Sequence, residues 1–287
     1  MKSILKFCFF AVFLILNAPS YSFFSENEQP VVGPKKGSLV IVGGNMKSKK
    51  IISRFIELAG GKDAPIVVLP TLMKDGQKKD KYAEQLKAHG ATNVTFLYTT
   101  DRELANSEEF VEPLKHAKGV FFGGGRQWRF VDNYQGTKVQ KLVREVLDRG
   151  GVIGGTSAGA SIQGDYLARG DTYGNEKIMG DHQVGFGYLK NVAIDQHVLA
   201  RNRQFEMINL LEKHPQYLGI GIDENTAIVV IGDQFEVIGE SYVLMYDQGS
   251  LWPKKVKKSK NLPKDKNLFY FLRAGDKYNL KERKVIK

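Results

Sequence analysis

Short unbroken apolar runs alternate along this chain with longer segments whose apolar positions recur every three or four residues. The runs are Leu39–Val42, Ile66–Leu69, Gly119–Phe122 and Gly151–Gly154, with Val94-Thr-Phe-Leu97 as a fifth that Thr95 interrupts, most of them bounded by glycine, proline or polar residues. A run of four or five apolar residues without alternation is the pattern of a strand buried on both faces, as in a parallel sheet. Between the runs, Lys50–Leu58, Lys81–Ala88, Ser107–His116 and Thr137–Arg149 carry the helical period. This order predicts an α/β fold with a mostly parallel sheet and helices on both faces. Further on, Thr226–Ile231, the Gly232-Asp233 turn, Phe235–Ile238 and Ser241–Met245 are β-rich and closely spaced, which predicts C-terminal antiparallel additions.

The N-terminus breaks the alternation. Lys2 and Lys6 precede an apolar run from Phe7 to Leu16, and small residues follow at Ser20 and Ser22. That is the layout of a secretory signal peptide over residues 1–22, and it predicts export to a periplasm or the outside of the cell. The run is shorter than the roughly 20 residues a membrane helix needs, so no membrane span is expected after cleavage. Residues 23–37 are polar, with Pro30 and Pro34, and read as a leader. Residues 38–287 then form one domain ending in a basic segment, 252–287. Its lysines 254, 255, 257, 258, 260, 264 and 266 read as a solvated arm, with contact to an anionic surface as the alternative.

Charge and cysteine content narrow the chemistry. The 287 residues hold 42 Lys and Arg against 31 Asp and Glu, a formal net charge of +11. The chain stays basic without residues 1–22, which contain two lysines and no acid. A basic protein suits anionic partners, yet no pattern here specifies nucleic acid. The only cysteine, Cys8, lies in the signal segment, so a disulfide, a thiol nucleophile and a cysteine metal ligand are excluded for the mature chain. H-E-x-x-H, G-x-x-x-x-G-K-[ST] and a G-x-G-x-x-G after a strand are also missing, and with them the usual signs of zinc proteolysis, a P-loop and a dinucleotide site.

Gly155-Thr-Ser157-Ala-Gly159 has the spacing of a nucleophile elbow, a tight strand-to-helix turn with the serine at its tip. Ser157 is the candidate nucleophile, and the Ala158 N–H stands where an oxyanion can be held. A serine nucleophile needs a base and a carboxylate to orient it. His89 and His116 end helical segments and His214 adjoins Pro215, which are surface or capping positions. His182 lies on a loop. His197 follows Val192–Ile194 at a strand end, where catalytic residues of α/β sheets gather. Glu224 follows Gly219–Ile222 and also stands at a strand end, while Asp171 and Glu176 compete for the role of the acid.

Taken together, Val120-Phe-Phe-Gly-Gly-Gly-Arg-Gln127, Gly155–Ala160, Asp195-Gln-His197 with Arg201 and Arg203, and Gly219–Ile228 resemble the cyanophycinases, in the serine peptidase family that also holds dipeptidase E. The resemblance spans about Ser38 to Tyr246. It implies a flavodoxin-like core, arranged as in class I glutamine amidotransferases, with serine in place of their cysteine nucleophile. It further implies a triad of Ser157, His197 and Glu224, with Asp171 and Glu176 as second choices, and an oxyanion hole from Gly125 and Ala158. Gln127, Asp195, Gln196, Arg201 and Arg203 match positions that line the family's substrate pocket.

By the same resemblance no metal or organic cofactor is required, a homodimer is expected, and the partner is a peptide or a cyanophycin-like polymer. Cyanophycinases cut β-linked aspartyl-arginine units from an aspartate-backbone polymer. Two positions depart from their pattern. Arg126 stands where an acid is common, and Glu206 where a third pocket arginine is expected.

Overall fold

The computed structural model describes residues 32–74, 77–247 and 269–287. The signal segment, most of the leader and the lysines of 254–266 lie outside the described residues.

The first half alternates strand and helix: β1 (Ser38–Val42), α1 (Lys49–Leu58), β2 (Ile66–Leu69), α2 (Lys81–Ala88), β3 (Val94–Phe96), α3 (Glu108–His116), β4 (Gly119–Phe122), α4 (Trp128–Tyr134), α5 (Lys138–Asp148) and β5 (Val152–Thr156). A four-residue helix, α6 (Ala158–Ser161), leads to β6 (Gly164–Tyr166), β7 (Leu189–Gln196), α7 (Glu206–Lys213) and β8 (Leu218–Ile222). The chain then runs through β9 (Thr226–Ile231), β10 (Gln234–Gly239), β11 (Tyr242–Tyr246), β12 (Tyr270–Arg273), β13 (Lys277–Asn279) and β14 (Lys284–Ile286).

A nine-stranded sheet has the order β14-β13-β10-β9-β1-β5-β4-β2-β3. Its β3-β2-β4-β5-β1 portion is parallel throughout, and β9 joins β1 antiparallel. The expected parallel sheet with antiparallel additions is this one. A second sheet, β12-β11-β8-β7-β6, differs from expectation. It takes in the strands ending at Gln196 and Ile222, and β11 as well, which was expected beside β9 and β10. Apolar runs show that strands are buried but not which sheet they join, because backbone hydrogen bonding is blind to side-chain identity.

Side-chain alternation explains the layering. In β1, Val40 and Val42 face α1 and α2, packing with Ile51, Phe55 and Leu86, while Leu39 and Ile41 face the opposite side. There they meet α3, α5 and the inner face of the second sheet, including Ile194, Ile220 and Ile222. The outer face of the second sheet, with Ala193, Leu244 and Tyr246, is covered by Met207, Leu210 and Leu211 of α7. Helices thus flank the nine-stranded sheet on both sides, and the second sheet lies between its core and α7.

Residues near both ends of the described unit join its structure. Val32 and Gly33, within the expected leader, donate backbone N–H bonds to Asp233 Oδ1 at 2.8 and 2.9 Å. Beyond 268 the C-terminal segment supplies β12 to one sheet and β13 and β14 to the other. Among the described residues no helix is long and apolar enough to cross a membrane.

Phe122 fills the middle of the core, with Phe130 edge-on at 5.1 Å and Phe186 at 5.8 Å. Phe122→Ala is expected to lower unfolding free energy by about 3–5 kcal/mol, measured as a shift in the urea midpoint at constant slope.

Candidate active site

Ser157 follows β5 directly, and the turn into α6 gives it φ 56 and ψ −113. A non-glycine residue in this region carries strain of about 1–3 kcal/mol, sustained here by a backbone bond from Ser157 N to Val42 O at 3.0 Å. His197 and Asn225 also have positive φ, both 53. Each is held in the same way by the chain leaving β1: His197 N donates to Gly43 O and Asn225 N to Gly44 O, both at 2.8 Å. Three successive carbonyls therefore position the three segments that carry Ser157, His197 and Glu224. Side chains would obstruct this approach, since a Cβ on Gly43 would lie 2.2 Å from Asp223 O and one on Gly44 2.1 Å from the His197 ring.

His197 Nε2 is 2.9 Å from Ser157 Oγ. Its Nδ1 is 2.6 Å from Glu224 Oε1, and Asn45 Nδ2 donates to Glu224 Oε2 at 2.8 Å. An ionised carboxylate only accepts hydrogen bonds, so Glu224 fixes the proton on Nδ1 and leaves the Nε2 lone pair facing Ser157. The imidazole is 6% exposed. Burial pulls the His197 pKa below the ordinary imidazole value; the Glu224 hydrogen bond opposes this, and the Arg201 charge adds to the depression. For Glu224, burial raises the pKa, but the hydrogen bonds from His197 and Asn45 outweigh it and hold the carboxyl below its ordinary range. At neutral pH this arrangement has an uncharged base beside an ionised acid, and it can draw a proton from the serine hydroxyl.

The three groups open onto a cleft of about 600 Å³. Asn175, Gln196 and Arg201 line one wall, and Lys81, Tyr82 and Gln85 of α2 line another, with Gly124 and Gly125 beside Ser157. Thr71 Oγ1 donates to Gly124 O at 2.9 Å. Gly125 has φ 141, and a Cβ on it would meet Thr71 Oγ1 at 2.0 Å, so this tight turn requires glycine.

Of the expected pocket residues, Gln196 and Arg201 reach the cleft. The others are buried and make contacts of their own. Gln127 is buried and gives its amide to Ala168 O at 2.9 Å. Asp195 is fully buried in a bidentate pair with Arg169, at 2.7 and 2.8 Å. Arg203 is buried behind the wall, bonded to Asn175 O at 3.1 Å. Among the alternative acids, Asp171 caps its own turn by accepting from Tyr173 N and Gly174 N, and the Glu176 side chain is 83% exposed and faces Arg203. His182 sits between Asp132 and Asp181, at 2.9 and 2.8 Å, rather than at Ser157.

The two departures in the sequence also have structural partners. Arg126 holds the 171–174 turn through Asp171 O and Gly174 O, at 2.6 and 2.7 Å. Glu206 pairs with Arg169 at 2.8 Å. Sequence reasoning missed Asn45, Thr71, Arg169 and the α2 wall. The Gly43-Gly44 doublet at a strand end was the one available sign, because two glycines there signal close backbone approach.

Fold and site together define a serine-type peptidase, a hydrolase on a flavodoxin-like, glutamine amidotransferase-like core with C-terminal antiparallel strands. The sequence profile of peptidase family S51 matches residues 39–238, and the chain belongs to that family. It is similar to the cyanophycinase of Geminocystis herdmanii, with 31% identity over 257 residues covering 86% of this chain and 94% of the relative. The cyanophycinase of Thermosynechococcus vestitus is 30% identical over 87% of this chain and 81% of its own length. Among solved structures, a peptidase from an acI-B1 actinobacterium superposes with TM-score 0.61 at 25% identity, covering 85% of this chain and 97% of that one. A candidate peptidase E protein of Listeria monocytogenes EGD-e shares the fold, with TM-score 0.51 at 18% identity over 71% of this chain and 99% of its own.

Asp195→Ala leaves the fully buried Arg169 without its bidentate partner and is expected to cost about 3–5 kcal/mol, read from thermal or urea unfolding. Gly44→Val, by contrast, is expected to displace the His197 ring and to reduce turnover by at least about a hundred-fold, measured alongside circular dichroism to show that the fold persists.

Proposed function

We propose that this protein is an exported S51 serine peptidase that hydrolyses β-aspartyl peptides of the Asp-Arg type through a Ser157–His197–Glu224 triad. The observation that carries the reading is the pair of contacts linking Ser157 Oγ, His197 and Glu224, 2.9 and 2.6 Å long, at a cleft where Glu224 is the only lining carboxylate among the described residues. The similarity to cyanophycinases supports the substrate, and the layout of residues 1–22 supports export.

In the proposed mechanism His197 Nε2 takes the Ser157 proton as Oγ attacks the amide carbonyl. The carbonyl oxygen becomes an oxyanion on the N–H groups of Gly125 and Ala158. Because the carbonyl and N–H of one peptide unit point in opposite directions, the Thr71 bond to Gly124 O turns the Gly125 N–H away from Thr71, which supports this role. His197 then returns the proton to the leaving nitrogen, which departs as an amine. Water, deprotonated by the same imidazole, attacks the acyl-Ser157 ester and releases the acid. Arg201 on the cleft wall matches a substrate carboxylate by charge and by its planar pair of donors.

Ser157→Ala is expected to abolish hydrolysis of cyanophycin and of β-Asp-Arg by at least about a thousand-fold in a folded protein; full activity would remove Ser157 from the mechanism. Cleavage of the dipeptide without the polymer would reassign the enzyme to short isoaspartyl substrates. Glu224→Gln is expected to lower kcat by roughly a thousand-fold or more by upsetting the imidazole tautomer, and Asp171→Asn to leave kcat nearly unchanged.

The active form has His197 neutral, and its pKa is depressed. kcat/KM should therefore rise with pH along a limb centred below the ordinary imidazole value of about 6.5 and be flat through neutrality. A limb centred above that value in a pH–rate profile would contradict His197 as the base.

A further inference from the structure

Between β6 and β7 the segment from Asp171 to Lys177 has neither helix nor strand, yet its course is closely fixed. Three arginines, one after β4, one after β6 and one after β7, hold its backbone carbonyls. Arg126 donates to Asp171 O and Gly174 O at 2.6 and 2.7 Å, Arg169 to Asn175 O and Glu176 O at 3.1 and 2.9 Å, and Arg203 to Asn175 O at 3.1 Å. Any residue at 175 would offer the same carbonyl, so the Asn175 side chain is not what holds the segment. Asn175 lines the cleft beside Arg201.

The Asn175 amide lies between two groups of opposite hydrogen-bonding character. A guanidinium only donates and an ionised carboxylate only accepts, which orients the amide with its oxygen 3.2 Å from Arg201 Nη1 and its nitrogen 2.8 Å from Glu176 Oε1. Glu176 is itself 3.6 Å from the buried Arg203, so the far end of this chain is anchored. Among the described residues Arg201 has no carboxylate partner, and Asn175 is the one side chain that accepts from its guanidinium.

The chemistry of that contact is specific. A long side chain loses rotamer freedom when it grips a ligand, and a contact already made in the free protein reduces that loss. The bond to Asn175 engages one Nη and leaves the other N–H groups of Arg201 available, and a neutral amide does not cancel the charge as an aspartate would. We propose that Asn175 is the positioning residue that aims Arg201 at a carboxylate of the substrate, and that it thereby sets the preference for a free carboxylate over its amide. The proposal rests on the reading of Arg201 as a carboxylate receptor in the peptidase and deepens it by naming the group that aims it.

The test separates binding from turnover. The full-length Ser157→Ala protein is titrated calorimetrically with a two-unit oligomer, an aspartate backbone carrying arginine on each β-carboxyl, and with the same oligomer after its free carboxylates are amidated. The carboxylate form is expected to bind about ten-fold tighter or more, the scale of one hydrogen bond to a charged group. Adding Asn175→Ala should remove most of that difference while changing the affinity for the amidated form by no more than about two-fold. Asn175→Asp, which keeps an acceptor but neutralises the cation, should remove the difference as well. Arg201→Ala should abolish it, and in that background Asn175→Ala should change nothing further, the non-additivity of residues that act as one unit. An Asn175→Ala effect that persists without Arg201, that falls equally on both oligomers or that is absent would overturn the positioning role, as would a failure of both oligomers to bind. Hydrolysis by the wild-type chain is scored separately. Asn175-dependent binding without hydrolysis would overturn the peptidase reading and keep the positioning role, whereas hydrolysis with binding indifferent to Asn175 would do the reverse.

Discussion

The arrangement around Ser157 depends on three consecutive backbone carbonyls. Val42, Gly43 and Gly44 leave the end of β1 and accept hydrogen bonds from Ser157, His197 and Asn225 in turn, at 3.0, 2.8 and 2.8 Å. Ser157 leaves a strand of the nine-stranded sheet, while His197 and Glu224 leave strands of the second sheet. Two separately hydrogen-bonded sheets have no intrinsic reason to align side chains to within a few tenths of an ångström. The shared carbonyls impose that alignment through short backbone bonds, and they hold all three acceptor-bound residues at positive φ, a conformation that ordinary residues adopt only under constraint.

A second layer of support lies behind the cleft wall. Arg169, fully buried, donates to Asp195 on β7 and to the carbonyls of Asn175 and Glu176, at 3.1 and 2.9 Å, while Glu206 at the start of α7 closes the network. Buried ion pairs repay their desolvation only when every donor and acceptor is used, and Arg169 approaches that condition. The network ties together β7, α7 and the segment carrying Asn175. It also accounts for the unusual Glu206, whose charge is needed beside a buried arginine. Asp223 acts similarly on the other side, accepting from Leu199 N and Ala200 N and from the Ser241 hydroxyl, so the turn after His197 is fastened next to Glu224.

Electrostatics sets opposite protonation states on the two titratable groups beside Ser157. Burial and the Arg201 charge keep His197 neutral, while Glu224 is kept ionised by the hydrogen bonds it accepts. The same exclusion of water that depresses the imidazole strengthens the hydrogen bonds that Glu224 accepts from His197 and Asn45.

Much of this was legible in the residues alone. Apolar runs and helical periods determined the α/β class because burial on two faces leaves a strand no polar positions, and the G-x-S-x-G spacing marked the Ser157 turn because only glycines permit so tight an elbow. Composition excluded cysteine chemistry from the folded domain, since the single cysteine is Cys8. Sheet membership needed the tertiary structure, since β7, β8 and β11 look like any other buried strands while their hydrogen-bond partners are tens of residues away. The pocket needed it as well. Gln127, Asp195 and Arg203 are polar residues in a promising pattern, yet whether such a group meets substrate or a buried counter-charge depends on what folds against it. Asn45, Asn175 and Arg169 reached their places through contacts that link residues distant in the sequence, and no local pattern encodes such contacts.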